Sequence, residues 1–272
     1  MKKERLDVLL VEKGFFHSRE KAKGSIMSGT IFVDGQRVDK PGMKINNESF
    51  IEIKGNPLPY VSRGGLKLSK AVEVFGLDLN SKTCIDIGSS TGGFTDCMLQ
   101  QGATKVYAID VGYGQLDFKL RKDPRVVVME RTNIRNVTLQ DIEGKVDFIS
   151  IDVSFISLKL VLPVAKKLLK DSGTIVVLIK PQFEAGREKV GKNGVIREPK
   201  IHKEVISDVL AFIQKEEIGI KSLAFSPIKG PKGNMEFLAY LQNHYISWDE
   251  KALEDKVHQI VESAHHSLRT IN

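Results

Sequence analysis

Residues Cys84-Ile-Asp-Ile-Gly-Ser-Ser-Thr-Gly-Gly-Phe-Thr95 read as a buried strand ending in an acid, a glycine-rich turn and the start of a helix. One βα unit further on, Val106-Tyr-Ala-Ile-Asp110 closes a second strand with another carboxylate. A glycine-rich strand-to-helix turn followed by a second-strand acid is how an open α/β sheet holds an adenosine ribose. The loop Gly88-Ser-Ser-Thr-Gly-Gly93 has neither the spacing of the dinucleotide fingerprint nor the Gly-Lys-Ser/Thr of a phosphate loop. A turn without a phosphate-gripping lysine suits a ligand without phosphates, and S-adenosylmethionine is the candidate. Asp86, Gly88, Ser89, Ser90, Thr91, Gly92, Gly93 and Phe94 are expected around it, with Asp110 on the ribose hydroxyls and Asn133 at the adenine edge.

Ligands of open α/β sheets sit beyond the carboxyl ends of the strands. Two more ionisable groups stand there: Asp152 ends the strand 146–152, and Lys180 follows the strand 174–179. Asp152 has apolar strand neighbours, which makes it less ordinary than a solvated strand-end charge. Pro181 holds Lys180 extended at the strand exit and limits where its ammonium points. A bare glycine loop is a weak signal, whereas loop, Asp110, Asp152 and Lys180 in this order form a stronger one.

These residues need a scaffold, and the chain alternates strand and helix from Thr83 onward. Strands are predicted at 83–87, 105–110, 125–129, 146–152 and 174–179, with helices near 92–101, 114–121, 157–170 and 200–216. Continuously apolar strands such as Thr174-Ile-Val-Val-Leu-Ile179 suit a parallel sheet covered on both faces. Segments 222–226 and 237–241 add two strands joined by a basic Gly/Pro loop, giving a doubly wound, Rossmann-like, seven-stranded α/β sheet. Ser247-Trp-Asp-Glu250 reads as a capping box for a last amphipathic helix bearing Leu253, Val257, Ile260, Val261 and Ala264.

Residues 1–56 read as a separate small α+β module. Two short helices, Arg5 to Lys13 and Ser18 to Ser28, precede a hairpin with an Asp34-Gly35 turn and a strand at 50–53. Gly55-Asn-Pro-Leu-Pro59 is the clearest linker signal, which places a linker at 57–63 and the large domain at 64–272.

The 272 residues are 41% hydrophobic, enough for an ordinary core. The net charge of +7 leans toward a polyanionic partner such as nucleic acid. Cys84 and Cys97 flank the glycine turn and read as reduced core thiols. Six histidines and two cysteines show no metal-ligand spacing, so no metal is expected. The start of the chain has no apolar signal-peptide core, and the longest apolar run, Ile175 to Ile179, is too short to span a bilayer. A cytoplasmic protein without a membrane partner is expected.

The order Lys67, Asp152, Lys180, Glu236 resembles the Lys-Asp-Lys-Glu tetrad of FtsJ-like ribose 2′-O-methyltransferases. The stretches Arg5-Leu-Asp-Val-Leu-Leu10, Ser18-Arg-Glu-Lys-Ala22 and Ser28-Gly-Thr-Ile-Phe-Val-Asp-Gly35 resemble an S4 RNA-binding domain. The S4-plus-FtsJ order, with Ser62-Arg-Gly-Gly-Leu-Lys67 at the junction and Lys180-Pro-Gln-Phe183 after the fifth strand, is similar to the TlyA family over essentially the whole chain. That resemblance implies methylation of a cytidine ribose in 23S rRNA, with 16S rRNA as an open second substrate. Ribosomal RNA or ribosomal subunits are then the partners. It implies Lys180 as the base, Asp152 as its orienting partner, and Glu236 as the group fixing Lys67 or the ribose. Some members carry a Trp-containing linker tetrapeptide; here Leu58-Pro-Tyr-Val61 stands in its place. RNA phosphates are expected to meet Arg5, Arg19, Lys21 and Lys23 on the S4-like helices, and Arg63, Arg187, Lys189, Lys192, Lys229 and Lys232 around the catalytic face.

Two other classes compete. Members are often labelled haemolysins, and a membrane-lytic protein would need an amphipathic or spanning segment, for which the final helix is the one candidate. A non-catalytic, ribosome-associated RNA binder would keep the cofactor fold without the chemistry, and the intact tetrad argues against it.

Overall fold

The computed structural model describes residues 3–16, 18–27, 29–54, 58–246 and 248–269. Ser28, Pro57 and Ser247, and with them the expected helix end, part of the linker and the capping serine, lie outside the described residues, as do the side chains of Arg187 and Lys192. The chain forms two compact units, Met1–Pro59 and Tyr60–Asn272.

The first unit runs β1 (Lys3–Arg5), α1 (Leu6–Glu12), α2 (Arg19–Met27), β2 (Ile31–Val33), β3 (Gln36–Arg37), β4 (Lys44–Asn46) and β5 (Ile51–Ile53). Asp34 and Gly35 both have positive φ, 48° and 79°, as a type I′ hairpin turn between β2 and β3 requires. The pairing of β1 with β4 is not signalled in the sequence, because Lys3, Glu4 and Arg5 show no apolar alternation. Leu6, Leu9 and Leu10 enter a small core with Ala22, Ile26, Ile31 and Val33. Asp7, fully buried beside them, is met by Arg5 at 3.0 Å and Arg19 at 2.8 Å. The Arg5 hydrogen bond leads the causes that hold its carboxyl down at about 2.

The second unit runs α3 (Gly64–Phe75), β6 (Thr83–Ile87), α4 (Gly93–Gln100), β7 (Lys105–Ile109), α5 (Phe118–Arg121), β8 (Val126–Met129), β9 (Val146–Ile151), α6 (Leu158–Leu168), β10 (Leu169–Ile179), α7 (Pro181–Glu184), α8 (Pro199–Lys215), β11 (Gly219–Phe225), β12 (Phe237–Gln242) and α9 (Glu250–Arg269). Its seven strands lie in the order β11-β12-β10-β9-β6-β7-β8. The five from β10 to β8 are parallel, and β12 and β11 are antiparallel additions. The order reverses between β6 and β9, and a crevice opens at such a switch point.

One face is covered by α6, α8 and α9, whose Leu162, Val209 and Val261 share a core with Ile149 and Val177 of the sheet. The other face carries α3 and α4 through Leu68, Ala71 and Met98. Cys84 and Cys97 are buried, unlinked thiols in that second layer, pushed up to about 12 by burial. The helix predicted over 114–121 forms only at Phe118–Arg121. Glu130 takes the backbone N–H groups of Gly114 and Gln115, at 2.9 and 3.0 Å, so that segment becomes an anchored loop instead.

Candidate functional site

The glycine loop leaves β6 with Gly88 at φ +84°, where a Cβ would run into the carbonyl oxygen of Asp152. Only glycine allows both that backbone conformation and that approach. Gly88 N–H and Ser89 N–H donate to the Ile109 carbonyl, and Gly92 at φ +96° turns the chain into α4. Asp110, just past β7, accepts from Ser90 N–H at 2.8 Å and Gly112 N–H at 2.7 Å. Its carboxylate thus fixes the loops on both sides of it and keeps lone pairs for a ligand.

Asp86 lies beneath this layer, fully buried. It accepts from the N–H and hydroxyl of Thr95, at 2.9 and 2.7 Å, and from the Ser150 hydroxyl at 3.2 Å. Burial pushes its carboxyl up to about 7 against those hydrogen bonds. It pins the first turn of α4 to β6 and β9. Glu130 does the same for loop 111–117, where three backbone N–H groups and Arg121 converge on it and hold its carboxyl at about 2.

Three lobes of one cleft share Gly88, Ser90 and Asp152. The first, about 140 Å³, lies between Ser62–Gly64, Lys67 and the glycine loop. The second, about 450 Å³, is walled by Ile87, Asp110, Val111, Asn133, Ile134 and Ile156. The third, about 490 Å³, holds Lys67, Lys180, Gln182, Phe183, Lys232, Asn234 and Glu236. Asp152 therefore lines both the largely apolar second lobe and the charged third one.

The four charged residues singled out by the sequence meet at this junction. Lys67, in the first turn of α3, donates to Glu236 Oε2 at 2.6 Å and lies 3.8 Å from Asp152 Oδ2. Lys180 Nζ lies 2.6 Å from Asp152 Oδ1 and donates to Ser154 Oγ at 2.9 Å. Lys67, Lys180 and Glu236 are 6%, 8% and 1% exposed. Two cations and two anions balance, which is the condition under which such burial is tolerated. A hydroxyl delivered into the third lobe would meet a lysine nitrogen already held in place by a carboxylate.

Of the residues expected around the cofactor, Gly88, Ser89, Ser90, Thr91, Gly93 and Phe94 line the first lobe and Asp110 and Asn133 the second. Asp86 and Gly92 line none of the three lobes: the first braces α4, and the second packs against Leu116 and Leu120. Sequence reasoning passed over Ser154 and Phe155, which line two lobes each and stand two and three residues after Asp152. Among the basic residues, Arg63 lines the first lobe and Lys232 the third, while Lys189 is exposed and pairs with Glu204 at 3.0 Å. Arg5 and Arg19 are half exposed on their pairs with Asp7, and Lys21 is exposed on α2. Among the described residues no His/Cys/Asp/Glu group could hold a metal, and no helix is long and apolar enough to cross a membrane.

Comparison with known proteins places the chain in a family. Residues 60–243 match the FtsJ-like methyltransferase family, and residues 4–51 match the S4 domain. The chain is 53% identical to the Bacillus subtilis protein YqxC over 98% of this chain and 96% of that one. It is 39% identical to the 16S/23S rRNA (cytidine-2′-O)-methyltransferase TlyA of Mycobacterium tuberculosis over 96% of this chain and 98% of the relative. A solved structure from Streptococcus thermophilus that carries a hemolysin name superposes with a TM-score of 0.79 at 49% identity, covering 99% of this chain and 98% of the other. The chain belongs to the FtsJ-like methyltransferase family, joined to an S4 domain in the arrangement of its TlyA relatives.

Proposed function

We propose that this chain is an S-adenosylmethionine-dependent rRNA methyltransferase acting on a cytidine ribose 2′-hydroxyl in 23S rRNA, with 16S rRNA as a further substrate. The observation that carries the reading is the Lys67–Glu236 and Lys180–Asp152 cluster in the third lobe, whose Asp152 also lines the other two. The Mycobacterium tuberculosis relative is named for the same chemistry.

The second lobe fits the cofactor. It offers apolar walls, a carboxylate at Asp110 and an amide at Asn133, and no lysine or arginine of the kind a phosphate needs lines it. Asp110 would hold the ribose hydroxyls, Asn133 the adenine edge, and the backbone from Gly88 to Phe94 the remainder. Bound there, S-adenosylmethionine supplies an electrophilic sulfonium methyl group.

The chain's own residues then have separate tasks. Lys180 acts as the base only as the neutral amine, and in that form its Nζ would take the proton of the incoming 2′-hydroxyl as the oxygen takes the methyl group. Asp152 orients that nitrogen and spans to Lys67, so both lysines are fixed before substrate arrives. Glu236 holds Lys67 from the other side and closes the wall of the third lobe. Most of the acceleration would come from positioning and charge placement by these four residues. Arg5, Arg19, Lys21, Lys23, Arg63, Arg187 and Lys189 would meet phosphates and give binding its salt dependence. The apolar face of α9, which a membrane-lytic reading would need, is occupied by packing through Val257, Ile260, Val261 and Ala264.

The test is transfer of labelled methyl to purified ribosomal subunits that lack the modification. Wild-type chain should label rRNA, and Lys180→Ala should lose about a hundredfold or more in rate. Absence of label on both subunits and on free rRNA would overturn the proposal.

A further inference from the structure

Contacts at the ends of β9 and β10 pair two loops residue by residue. Ser154 Oγ accepts from Lys180 Nζ at 2.9 Å. The Phe155 and Phe183 rings lie 4.9 Å apart. Glu184 then accepts from the Ser157 hydroxyl at 2.6 Å and from Leu158 N–H at 2.8 Å, capping α6 from α7. The middle of the first loop is strained, since Phe155 adopts φ +65°, a left-handed conformation that bulky side chains rarely take. Such strain persists where surrounding contacts enforce it, and here the Phe155 ring itself meets Phe183 while Glu184 clamps the chain just after it.

The strained turn has a chemical consequence. A lysine nitrogen sits on a flexible stem, so a second contact beside its carboxylate partner narrows its orientation further. Lys180 Nζ meets two groups on one short segment: it is ion-paired with Asp152 Oδ1 at 2.6 Å, and its hydrogen bond goes to Ser154 Oγ. In the neutral amine that acts as the base, these contacts engage the N–H side of Nζ and leave its lone pair for a hydroxyl in the lobe that Lys180, Asp152 and Ser154 all line. We propose that Ser154 is a positioning residue of the methyl-transfer reaction, fixing Lys180 Nζ toward the substrate hydroxyl. This inference rests on Lys180 acting as the base, as proposed above. Ser154 acts through Lys180, in contrast to Asp110 and Asn133, which are assigned to the cofactor.

The experiment is single-turnover methyl transfer to unmodified ribosomal subunits at saturating S-adenosylmethionine, with cofactor and subunit affinities measured separately. Ser154→Ala should slow the transfer step about tenfold or more, because an anchored base becomes a mobile one. Its affinities should stay within about twofold of wild type, which separates a lost positioning contact from lost binding. Ser154→Thr keeps the hydroxyl and should retain about a third of the rate or more. A thermal midpoint matching wild type for Ser154→Ala would show that the loss is not unfolding. A wild-type rate in Ser154→Ala overturns the inference alone, as does a loss explained wholly by weaker cofactor binding. A wild-type chain that transfers no methyl overturns the functional reading and this inference with it.

Discussion

Replacing Glu236 by leucine isolates the buried pair at the centre of the site. Lys67 Nζ would lose its 2.6 Å partner and keep only Asp152 at 3.8 Å, which is already engaged by Lys180. Lys67 is 6% exposed, so water cannot make up the difference. Breaking a buried pair by removing one partner costs about 3–5 kcal/mol, and Asp152 offsets part of that, so a loss of about 3 kcal/mol is expected for Glu236→Leu. In a domain of this size each kcal/mol lowers the melting midpoint by about 2–4 °C, so the shift should be about 6–12 °C. Lys67→Met should lose a similar amount, since it strands Glu236. The double variant Lys67→Met/Glu236→Leu removes both charges and should return to within about 1 kcal/mol of wild type. Urea unfolding of all four proteins gives the coupling energy directly. Additive single losses, or a Glu236→Leu protein as stable as wild type, would refute the claim that this pair is buried and mutually dependent. The double variant should remain inactive although stable, because Asp152 and Lys180 would have lost their neighbour across the third lobe.

Cofactor binding should depend on Asp110: Asp110→Ala should weaken S-adenosylmethionine by about tenfold or more in calorimetry. Asp110→Asn, which keeps an oxygen to accept from Ser90 or Gly112 N–H, should lose affinity with a smaller drop in melting midpoint than Asp110→Ala. Two buried groups should titrate in opposite senses. Burial raises Asp86 to about 7, so the folded state holds a proton that the unfolded state releases near 4, and stability falls as pH rises between those values. Burial, aided by His265, lowers His202 to about 4, so the folded state lacks a proton that the unfolded state takes up below about 6.5. That contribution is lost as pH falls through the same window. Each is worth on the order of 3 kcal/mol and they offset in wild type. Asp86→Asn should therefore expose a steeper acid loss, and His202→Gln should expose a protein that gains stability on acidification. Flat profiles in both variants would contradict the burial argument.

The parts of the site legible in the sequence share one property: they stand at the ends of strands whose apolar character marks them. Gly88, Asp110, Asp152 and Lys180 follow β6, β7, β9 and β10, so the topology itself delivers them to one crevice. Lys67 and Glu236 carry no such mark, since one lies on a helix and the other follows a polar loop; the family resemblance was needed to single them out. Ser154 and Phe155 were silent because a strained loop has no periodicity. Glu130 was silent for a related reason: its work is to take N–H groups that local pattern assigns to a helix at 114–117. Asp86 looked like a ligand residue because acids before glycine turns often are, but its full burial under Thr95 makes it a brace.

The central claim is that methyl reaches a ribose oxygen, and alkaline hydrolysis of labelled rRNA tests it most directly. A 2′-O-methyl group blocks cleavage at its own linkage. Label is predicted in an alkali-resistant dinucleotide containing cytidine, and absent from the product of Lys180→Ala. Label released in ordinary mononucleotides would place the methyl on a base and contradict the account.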